Sequence, residues 1–367
     1  MERYYLAIDI GASSGRHMLG HIENGKMILE EIWRFENGMK DREGSLCWDL
    51  DALFEEIKTG MKRCKELGKI PVSMGIDTWA VDYVLLDEKD QVLGKTYGYR
   101  DGRTQGVDED VYKIISEEEL YSCTGIQKQS FNTIYQLMAV KKNNPEHLKA
   151  AKNFLMLPDY FHFLLTGQKC SEYTNATSTQ LINAQTNDWD RELIERLGYP
   201  REMFLPLSQP GTLVGSFTKE IEEEVGFSCE VVLPATHDTG SAVMALPGEG
   251  DKNLYISSGT WSLMGIENKT AICTEESRKR NFTNEGGYEY RYRYLKNIMG
   301  LWMIQSVRKE LENKYSFAEL CAMASRRSDF PSRVDVNDPV FLAPDSMIRA
   351  IREMCAKTGH PVPETPD

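Results

Sequence analysis

Asp238 stands between His237 and Thr239, where an apolar run gives way to a run of small residues. In an open sheet, ligands gather at the ends of strands. A carboxylate in such a place can accept the proton of a substrate hydroxyl during phosphoryl transfer. The same position suits a helix N-cap, which Asp favours. Spacing alone favours the cap, and the catalytic interpretation stays open beside it.

Two turns rich in small residues offer backbone and hydroxyl donors to a phosphate. The first, 9–16, reads DIGASSGR, and the second, 257–260, reads SSGT. Glycines let backbone N–H groups approach a phosphate, and hydroxyls and a guanidinium add donors. Asp9, at the end of a strand-like run, could hold Mg²⁺ directly or through water. A plain hairpin explains each turn taken alone, but two such turns could grip one polyphosphate from both sides.

A third group of residues suits a sugar. Asp77, Trp79 and Asp82 place carboxylates beside an aromatic ring, and sugar sites use that mixture. A tryptophan at a sheet edge with solvated carboxylates is the structural alternative. Tyr99-Arg100-Asp101 and Asn175-Ala176-Thr177 are further polar candidates, and each is more readily explained as structural when taken alone.

Composition excludes several classes of function. A net charge of -13 repels nucleic acid and anionic membrane surfaces. The N-terminus shows no signal-peptide pattern and no apolar run approaches a membrane span, which predicts a cytoplasmic protein. The eight cysteines have neither zinc-ligand nor CxxC spacing. No P-loop, protein-kinase loop or GxSxG elbow is present, and the oligomeric state is not indicated.

Hydrophobic patterns place these residues on a mixed sheet. Apolar runs near 4–9, 17–22 and 27–35 predict an antiparallel meander. A helix follows, capped by Asp49 or Asp51 and ended by Gly68. Strands are then predicted at 72–77 and 81–87. Strands, helix and strand in this order favour a mixed sheet with helices packed on it.

The remaining pattern is mostly helical and then repeats the opening theme. The predicted elements are a helix at 160–166 ended by Gly167, a strand at 231–234, a loop at 235–239, a helix at 240–246, a linker at 247–250, strands at 254–257, 261–266 and 288–295, a helix at 298–311, a capping box at 316–319, and a helix at 346–357 capped by Asp345. A strand, a small-residue turn and a strand therefore occur twice, which indicates weak internal symmetry.

Long motifs then identify a resemblance. The chain is similar to the FGGY carbohydrate kinases in AIDIGASSGR (7–16), GIDTWAVDYVLLD (75–87), YRDGRT (99–104), LPDYF (157–161), EYTNATSTQL (172–181), THDTGSAV (236–243), SSGTWSLMG (257–265), TNEGG (283–287) and YRYLKNIMGLW (292–302). The resemblance implies an α/β, ribonuclease H-like and actin-like ATPase fold, with two domains and a central cleft. It also implies a sugar-binding domain at 1–245 and a nucleotide-binding domain at 246–367.

The resemblance further implies transfer of the γ-phosphoryl of ATP, with Mg²⁺, to O1 of a sugar, most closely L-rhamnulose. Asp238 would be the base and Asp9 would support Mg²⁺. Sugar contacts would come from Ala80, His237, Asp238 and Thr239, and nucleotide contacts from Ala12, Ser13, Ser14, Gly15, Arg16, Thr260, Asn297 and Gln305. Alternatives are a kinase for a related deoxyketose such as L-fuculose, or a non-catalytic sugar-binding remnant.

Two departures from the family pattern qualify these expectations. Ala80 stands where the family usually has glycine, and one extra methyl group could shift the preferred ketose. The second departure is the absence of a later Gly-Gly turn, since the one Gly-Gly pair is Gly286-Gly287. We therefore expect the nucleotide-binding domain to be incomplete at its C-terminal end and this chain alone to bind ATP weakly.

Overall fold

The computed structural model describes residues 3–247, 253–259, 261–299, 301–342 and 344–365. The chain forms two compact units. The first comprises Met1–Asn253 and Glu267–Tyr294, and the second comprises Leu254–Ile266 and Leu295–Asp367. Each unit is built from two stretches of chain. The predicted division into domains at 245/246 stays a prediction.

The strands range from two to eleven residues. They are β1 (Tyr4–Ile10), β2 (Ser14–Glu23), β3 (Lys26–Glu36), β4 (Lys40–Arg42), β5 (Ser45–Cys47), β6 (Pro71–Thr78), β7 (Tyr83–Leu86), β8 (Asn153–Met156), β9 (Ser171–Glu172), β10 (Ile182–Asn183), β11 (Asp188–Trp189), β12 (Leu207–Ser208), β13 (Leu213–Ser216), β14 (Glu230–Val232), β15 (Tyr255–Ser258), β16 (Ser262–Asn268), β17 (Thr283–Gly286) and β18 (Tyr292–Ile298).

The α-helices lie between groups of these strands and after the last one. They are α1 (Leu50–Glu66), α2 (Asp108–Tyr112), α3 (Glu117–Thr124), α4 (Thr133–Asn143), α5 (Pro145–Ala150), α6 (Leu157–Thr166), α7 (Tyr173–Ala176), α8 (Arg191–Arg196), α9 (Lys219–Val225), α10 (Asp238–Met244), α11 (Glu275–Lys279), α12 (Trp302–Glu310), α13 (Phe317–Arg326) and α14 (Met347–Lys357). Short 3₁₀ turns cover Gly102–Thr104, Thr177–Thr179, Arg201–Met203, Tyr288–Tyr290 and Pro339–Phe341.

A six-stranded mixed sheet is the centre of the first unit. Its order is β13-β14-β6-β1-β2-β3. The pairs β1–β2, β2–β3 and β13–β14 are antiparallel, whereas β1–β6 and β14–β6 are parallel. The predicted opening meander is thus confirmed. The parallel strands β14, β6 and β1 end at the same edge of the sheet, so the residues that follow them come close together.

Helix α1 packs on this sheet through one apolar face. Leu53, Ile57 and Met61 recur at helical spacing and are all buried. The side chain of Asp49 caps the helix by accepting a hydrogen bond from the Ala52 amide, which decides between the two predicted caps. Gly60 permits a close approach, since a Cβ there would lie 2.3 Å from the His17 ring.

Several predicted boundaries were wrong. Helix α10 begins at Asp238 and not after residue 239, because hydrogen bonds to Glu172 already fix the preceding loop at Thr236. Ser346, not Asp345, caps α14 by accepting from the Arg349 amide. Residues 288–290 form a 3₁₀ turn and the third strand starts only at Tyr292. Most of the predicted linker, 248–250, lies outside the described residues.

The second unit has its own small core. Met299, Phe341 and Met347 are buried there together with Ala350 and Met354 of α14. Helix α13 begins with the predicted capping box, in which Ser316 and Glu319 exchange hydrogen bonds. Strands β15 and β16 pair antiparallel, as the repeat of the opening theme predicted.

Two negative findings concern the described residues alone. No helix among them is long and apolar enough to cross a membrane. All eight cysteines are free thiols, four of them buried and four partly or fully exposed, and no disulfide joins any pair.

Candidate functional site

Three parallel strands bring the predicted catalytic residues to one edge of the sheet. Asp9 at the end of β1 is the register partner of Asp77 at the end of β6. Thr78 forms an isolated parallel bridge with His237, and its amide donates to the carbonyl of Thr236 at 3.0 Å. Asp9, Asp77, His237 and Asp238 thus share one edge of the sheet, which we call the strand-end site.

Asp238 is the first residue of α10, and His237 occupies the N-cap position. The structural alternative of an Asp238 N-cap is therefore wrong. Oδ1 of Asp238 accepts hydrogen bonds from the Thr239 amide at 2.5 Å and the Thr239 hydroxyl at 3.2 Å. The side chain remains 38% exposed. Thr239 therefore orients the carboxylate while solvent and substrate can still reach it.

The strand-end site concentrates negative charge. Burial raises the pKa of Asp238 to about 6, and the Asp9 carboxylate adds to the rise, which the bonds from Thr239 oppose. Burial, followed by the charges of Asp9 and Asp238, raises the pKa of Asp77 well above its usual range. With a pKa of about 6, the carboxylate of Asp238 is mostly ionised at neutral pH and can accept a proton there. The strand-end site therefore has the acid–base properties of a catalytic centre.

A buried glutamate fixes the loop that carries His237 and Asp238. Oε2 of Glu172 accepts hydrogen bonds from the amide and the hydroxyl of Thr236, at 3.0 and 2.8 Å. The same oxygen accepts from the Thr174 hydroxyl and the Asn175 amide, and Asn175 Nδ2 donates to the Thr236 carbonyl. These bonds anchor the loop to the start of α7. The motif EYTNATSTQL contains Glu172, but its sequence gave no sign of this role.

His237 is held from the other side by the 283–293 segment. Arg293 is fully buried, and its Nη2 lies 2.9 Å from Nδ1 of His237. Nη1 of Arg293 lies 3.2 Å from Oε2 of Glu285, which itself lies 3.5 Å from the same histidine nitrogen. Burial, and then the Arg293 charge, lower the pKa of His237 well below its usual range. Sequence reasoning missed Arg293 and Glu285, although a charged residue inside an apolar strand was a usable signal.

The segment that contains Ala80 is a strained turn and not the start of a strand. Val81 has φ of 66°, and the Asp82 amide donates to the Ala80 carbonyl at 2.9 Å. A bond across two residues with a positive central φ defines a γ-turn of the rare, strained kind. Val81 N donates to Ser178 Oγ, and its carbonyl accepts from Thr133 Oγ1 at 2.7 Å. The predicted strand at 81–87 accordingly begins only at Tyr83.

Asp82 stabilises this turn from within the core. Its Oδ2 accepts from the indole nitrogens of Trp48 and Trp79, at 2.6 and 2.9 Å, and from the Tyr99 amide. Oδ1 accepts from Gln136 Nε2 at 3.0 Å. Burial raises the pKa of Asp82 to about 6. The carboxylate orients two tryptophan rings, and its saturated hydrogen bonds favour a structural role over direct sugar binding.

The first predicted phosphate turn is a tight connection between β1 and β2. The Gly11 amide donates to the Ser14 carbonyl at 2.9 Å, and Asn37 bonds the turn through the carbonyls of Gly11 and Ser13. A Cβ at Gly15 would lie 2.1 Å from the Phe35 ring, so packing alone demands this glycine. Ser13 is exposed and Ala12 and Ser14 are partly buried, so these three residues remain the part of the turn that could meet a phosphate.

Arg16 lies opposite Asp9 in the β1–β2 register, and Nε lies 3.1 Å from Asp9 Oδ2. Both side chains are more than a third exposed, so the pair is weak and can exchange partners when a ligand arrives. The described residues contain no group of three or more His, Cys, Asp or Glu arranged to hold a metal ion. Mg²⁺ usually takes only one or two carboxylates beside water and phosphate, and Asp9 fits that pattern.

Two of the three remaining predicted nucleotide residues lie in described elements of the second unit. Asn297 lies in β18 and Gln305 in α12. Thr260 lies outside the described residues. Its neighbour Gly259 accepts a hydrogen bond from the Leu301 amide at 3.0 Å, so the turn after β15 contacts the residue before α12.

Solved structures define the class of fold. A ligand-bound xylulose kinase from Lactobacillus acidophilus aligns with a TM-score of 0.75 at 17% identity, covering 88% of this chain and 66% of that one. Glycerol kinase of Plasmodium falciparum with ADP aligns with a TM-score of 0.72 at 14% identity, covering 89% and 67%. This chain thus spans about two thirds of these proteins. It has the mixed α/β, two-domain actin-like ATPase fold of the sugar kinases.

Sequence comparison gives the family. The models of the N-terminal and C-terminal domains of the FGGY family of carbohydrate kinases match residues 4–245 and 254–367. The chain belongs to the FGGY family of carbohydrate kinases. It is 57% identical to the rhamnulokinase of Halalkalibacterium halodurans over 99% of this chain and 77% of that protein. It is 44% identical to the rhamnulokinase of Bacillus subtilis over 98% of this chain and 74% of that protein.

Proposed function

We propose that this protein transfers the γ-phosphoryl group of ATP to O1 of L-rhamnulose, giving L-rhamnulose 1-phosphate. The observation that carries the proposal is the position of Asp238. Its accessible carboxylate has a raised pKa and lies at the shared end of three parallel strands. The similarity to two rhamnulokinases supports the choice of sugar. Because ATP is the donor, we assign the reaction to the cytoplasm.

Asp238 acts as the base in this proposal. Thr239 donates two hydrogen bonds to Oδ1, which leaves Oδ2 to face the O1 hydroxyl. Asp238 orients that hydroxyl before transfer and takes its proton as the new P–O bond forms. Phosphoryl transfer depends mainly on alignment and charge neutralisation, so rigid anchoring of the loop by Glu172 aids the reaction.

The sugar contacts in the proposal are Ala80, His237, Asp238 and Thr239. Ala80 is held by the strained turn at Val81, and His237 by Arg293. Rigid contacts of this kind lose little conformational entropy when a ligand binds. The methyl group of Ala80 would narrow the sugar site slightly. Which ketose fits best therefore depends on this residue.

The nucleotide contacts in the proposal are Ala12, Ser13, Ser14, Gly15, Arg16, Thr260, Asn297 and Gln305, with residues 1–245 as the sugar-binding domain and 246–367 as the nucleotide-binding domain. Asp9 would hold Mg²⁺, which neutralises phosphate charge when bound. Arg16 then has two possible anionic partners, Asp9 and a phosphate. Arg16 could bind a phosphate while the nucleotide is present and return to Asp9 when ADP leaves.

The test is the Asp238→Asn variant. Asn keeps the size of the side chain and loses the proton acceptor, so kcat should fall by about 10²- to 10⁴-fold. L-rhamnulose should still bind, as measured by calorimetry without ATP. Asp345→Asn is the control, since Asp345 is 96% exposed on the second unit. Unchanged turnover in Asp238→Asn would remove this residue from the mechanism.

The choice of sugar needs a separate experiment. ADP formation is measured with L-rhamnulose, L-fuculose and D-xylulose, and the phosphorylated position is assigned by ³¹P NMR. We expect the highest kcat/KM with L-rhamnulose. A higher value with L-fuculose would reassign the substrate, and binding without phosphorylation would indicate a non-catalytic sugar-binding protein.

A further inference from the structure

The side chain of Arg293 determines which nitrogen of His237 carries a proton. A guanidinium group has only N–H donors, so the atom that meets Nη2 at 2.9 Å must accept. Nδ1 of His237 therefore presents its lone pair to Arg293. A neutral imidazole with an accepting Nδ1 carries its single proton on Nε2.

Glu285 is the group that could impose the opposite arrangement. Its Oε2 lies 3.5 Å from Nδ1 of His237, farther than Arg293 and beyond good hydrogen-bond distance. The carboxylate instead lies 3.2 Å from Nη1 of Arg293 and balances the charge of the buried guanidinium. Arg293 is also held by the Gly286 carbonyl, which accepts from Nε at 3.2 Å and Nη2 at 3.1 Å.

The Nε2 atom of His237 is directed toward Asp238. It lies 3.4 Å from Asp238 Oδ1, too far for a strong hydrogen bond. That oxygen already accepts two bonds from Thr239. The Nε2–H group is therefore a nearly unused donor beside the carboxylate that we assign as the base.

We propose that Arg293 is a positioning residue that holds His237 as the neutral Nε2–H tautomer, so that the imidazole donates a hydrogen bond to a sugar oxygen beside Asp238. This inference rests on the proposed function for the identity of the ligand. Donor and acceptor then stand side by side, His237 giving a hydrogen bond and Asp238 receiving one. A polyhydroxylated ligand with two neighbouring oxygens matches that pair.

The same contacts prevent His237 from acting as a second base. Among the residues that the structure describes, the charged groups in contact with the ring are Arg293, Glu285 and Asp238. A buried cation next to Nδ1 opposes protonation of the imidazole, in agreement with the lowered pKa of His237. Nε2 remains a donor across the neutral pH range, and proton acceptance is left to Asp238.

The first test uses the unaltered protein without sugar. The ¹⁵N spectrum of ¹⁵N-histidine-labelled protein is recorded, and His237 is assigned with the His237→Asn variant. We expect protonated Nε2 and unprotonated Nδ1 from about pH 5.5 to pH 8, a range that spans the ordinary histidine pKa. A protonated Nδ1, or a charged ring in that range, would overturn the proposal.

The second test removes the positioning group. In Arg293→Met, Glu285 becomes the charged neighbour of Nδ1, so the proton should move to Nδ1. Nε2 then loses its donor, and the affinity for L-rhamnulose should fall about three- to tenfold, the usual effect of one hydrogen bond. KM should rise more than kcat falls, because the donor acts on bound sugar before transfer.

Two matched variants separate this role from general packing. Glu285→Gln keeps Arg293, so His237 should remain the Nε2–H tautomer. Arg293→Gln retains an amide that can donate to Nδ1 and should preserve the tautomer as well. An unchanged tautomer in a folded Arg293→Met protein would exclude the role of Arg293. If that variant does not fold by circular dichroism, Arg293→Gln and the unaltered protein decide the outcome.

The tautomer can be measured without catalysis, so the two proposals fail in different ways. The kinase proposal fails if no ATP-dependent phosphorylation occurs while the spectrum still shows His237 as the Nε2–H tautomer. Loss of the positioning proposal would appear in the spectrum while phosphorylation of L-rhamnulose continues.

Discussion

Asp77 lies directly opposite Asp9 in the parallel pairing of β1 and β6. Neighbouring strands are about 4.8 Å apart, so the backbone itself forces two carboxyl groups into proximity. Asp238 adds a third carboxyl group from the start of α10, and burial together with the charges of Asp9 and Asp238 raises the pKa of Asp77. The sheet thus generates the electrostatic character of the strand-end site.

The first prediction concerns this coupling. In the metal-free protein, the ¹³C carboxyl resonance of Asp238 should titrate with a midpoint of about 6, the value set by burial and the Asp9 charge. Asp9→Asn removes a negative neighbour, which makes ionisation of Asp238 easier, so the midpoint should move to lower pH. Asp345→Asn is the control, and a midpoint that stays unchanged in Asp9→Asn would refute the coupling.

The second prediction concerns the anchor of the loop that precedes Asp238. Oε2 of Glu172 accepts four hydrogen bonds. Glu172→Gln replaces one carboxylate oxygen with an NH₂ group, which donates and cannot accept. Buried donors would lose their acceptor, and the free energy of unfolding should fall by about 2–5 kcal/mol. Urea denaturation measures the change.

The control for that experiment is Glu223→Gln on the exposed face of α9, where the same substitution should change the stability by less than about 0.5 kcal/mol. Equal effects of the two substitutions would show that Glu172 is not an anchor.

The third prediction concerns the strained turn at Val81. Glycine adopts a positive φ without the steric cost that valine bears, so Val81→Gly relieves strain while it removes a buried side chain. Val84 in β7 is also buried and carries no positive φ, so Val84→Gly loses packing with no compensation. We expect Val81→Gly to cost about 1–3 kcal/mol less in unfolding free energy than Val84→Gly. Equal costs would mean that the turn is not strained.

The fourth prediction concerns acid stability. Burial lowers the pKa of His162 to about 3, and the Ile76 amide donates to its Nε2. The folded state excludes a proton that the unfolded chain binds below its ordinary pKa of about 6.5. The contribution of His162 to stability should therefore be fully present above that pH and fall as the pH drops toward 3, by about 1.4 kcal/mol per pH unit.

Urea denaturation at pH 7 and pH 5 measures this loss. His162→Gln keeps an acceptor for the Ile76 amide but does not titrate, so it should reduce the loss by about 2 kcal/mol. His360→Gln, in the partly exposed C-terminal segment, should leave the loss unchanged. An identical pH dependence in His162→Gln would contradict the prediction.

The amino-acid sequence was sufficient for the class of fold, and it singled out the residues that we propose for the site. Period-two runs predicted the opening meander, and a period near 3.6 predicted α1, because these patterns reflect which side of an element is buried. Long motifs gave the family, including Asp9, His237 and Asp238. These signals are local, so they can be recognised without knowing which strands become neighbours.

Only the tertiary structure decided how those residues act. The pairing of β1 with β6 brings together Asp9 and Asp77, which are far apart in sequence, and the buried environment of Asp238 raises its pKa. The contact of Arg293 with His237 joins residues 56 positions apart. Hydrogen bonds and burial of this kind arise between segments that are distant in sequence, so no local pattern encodes them. In our proposals they determine which group accepts a proton and which donates one.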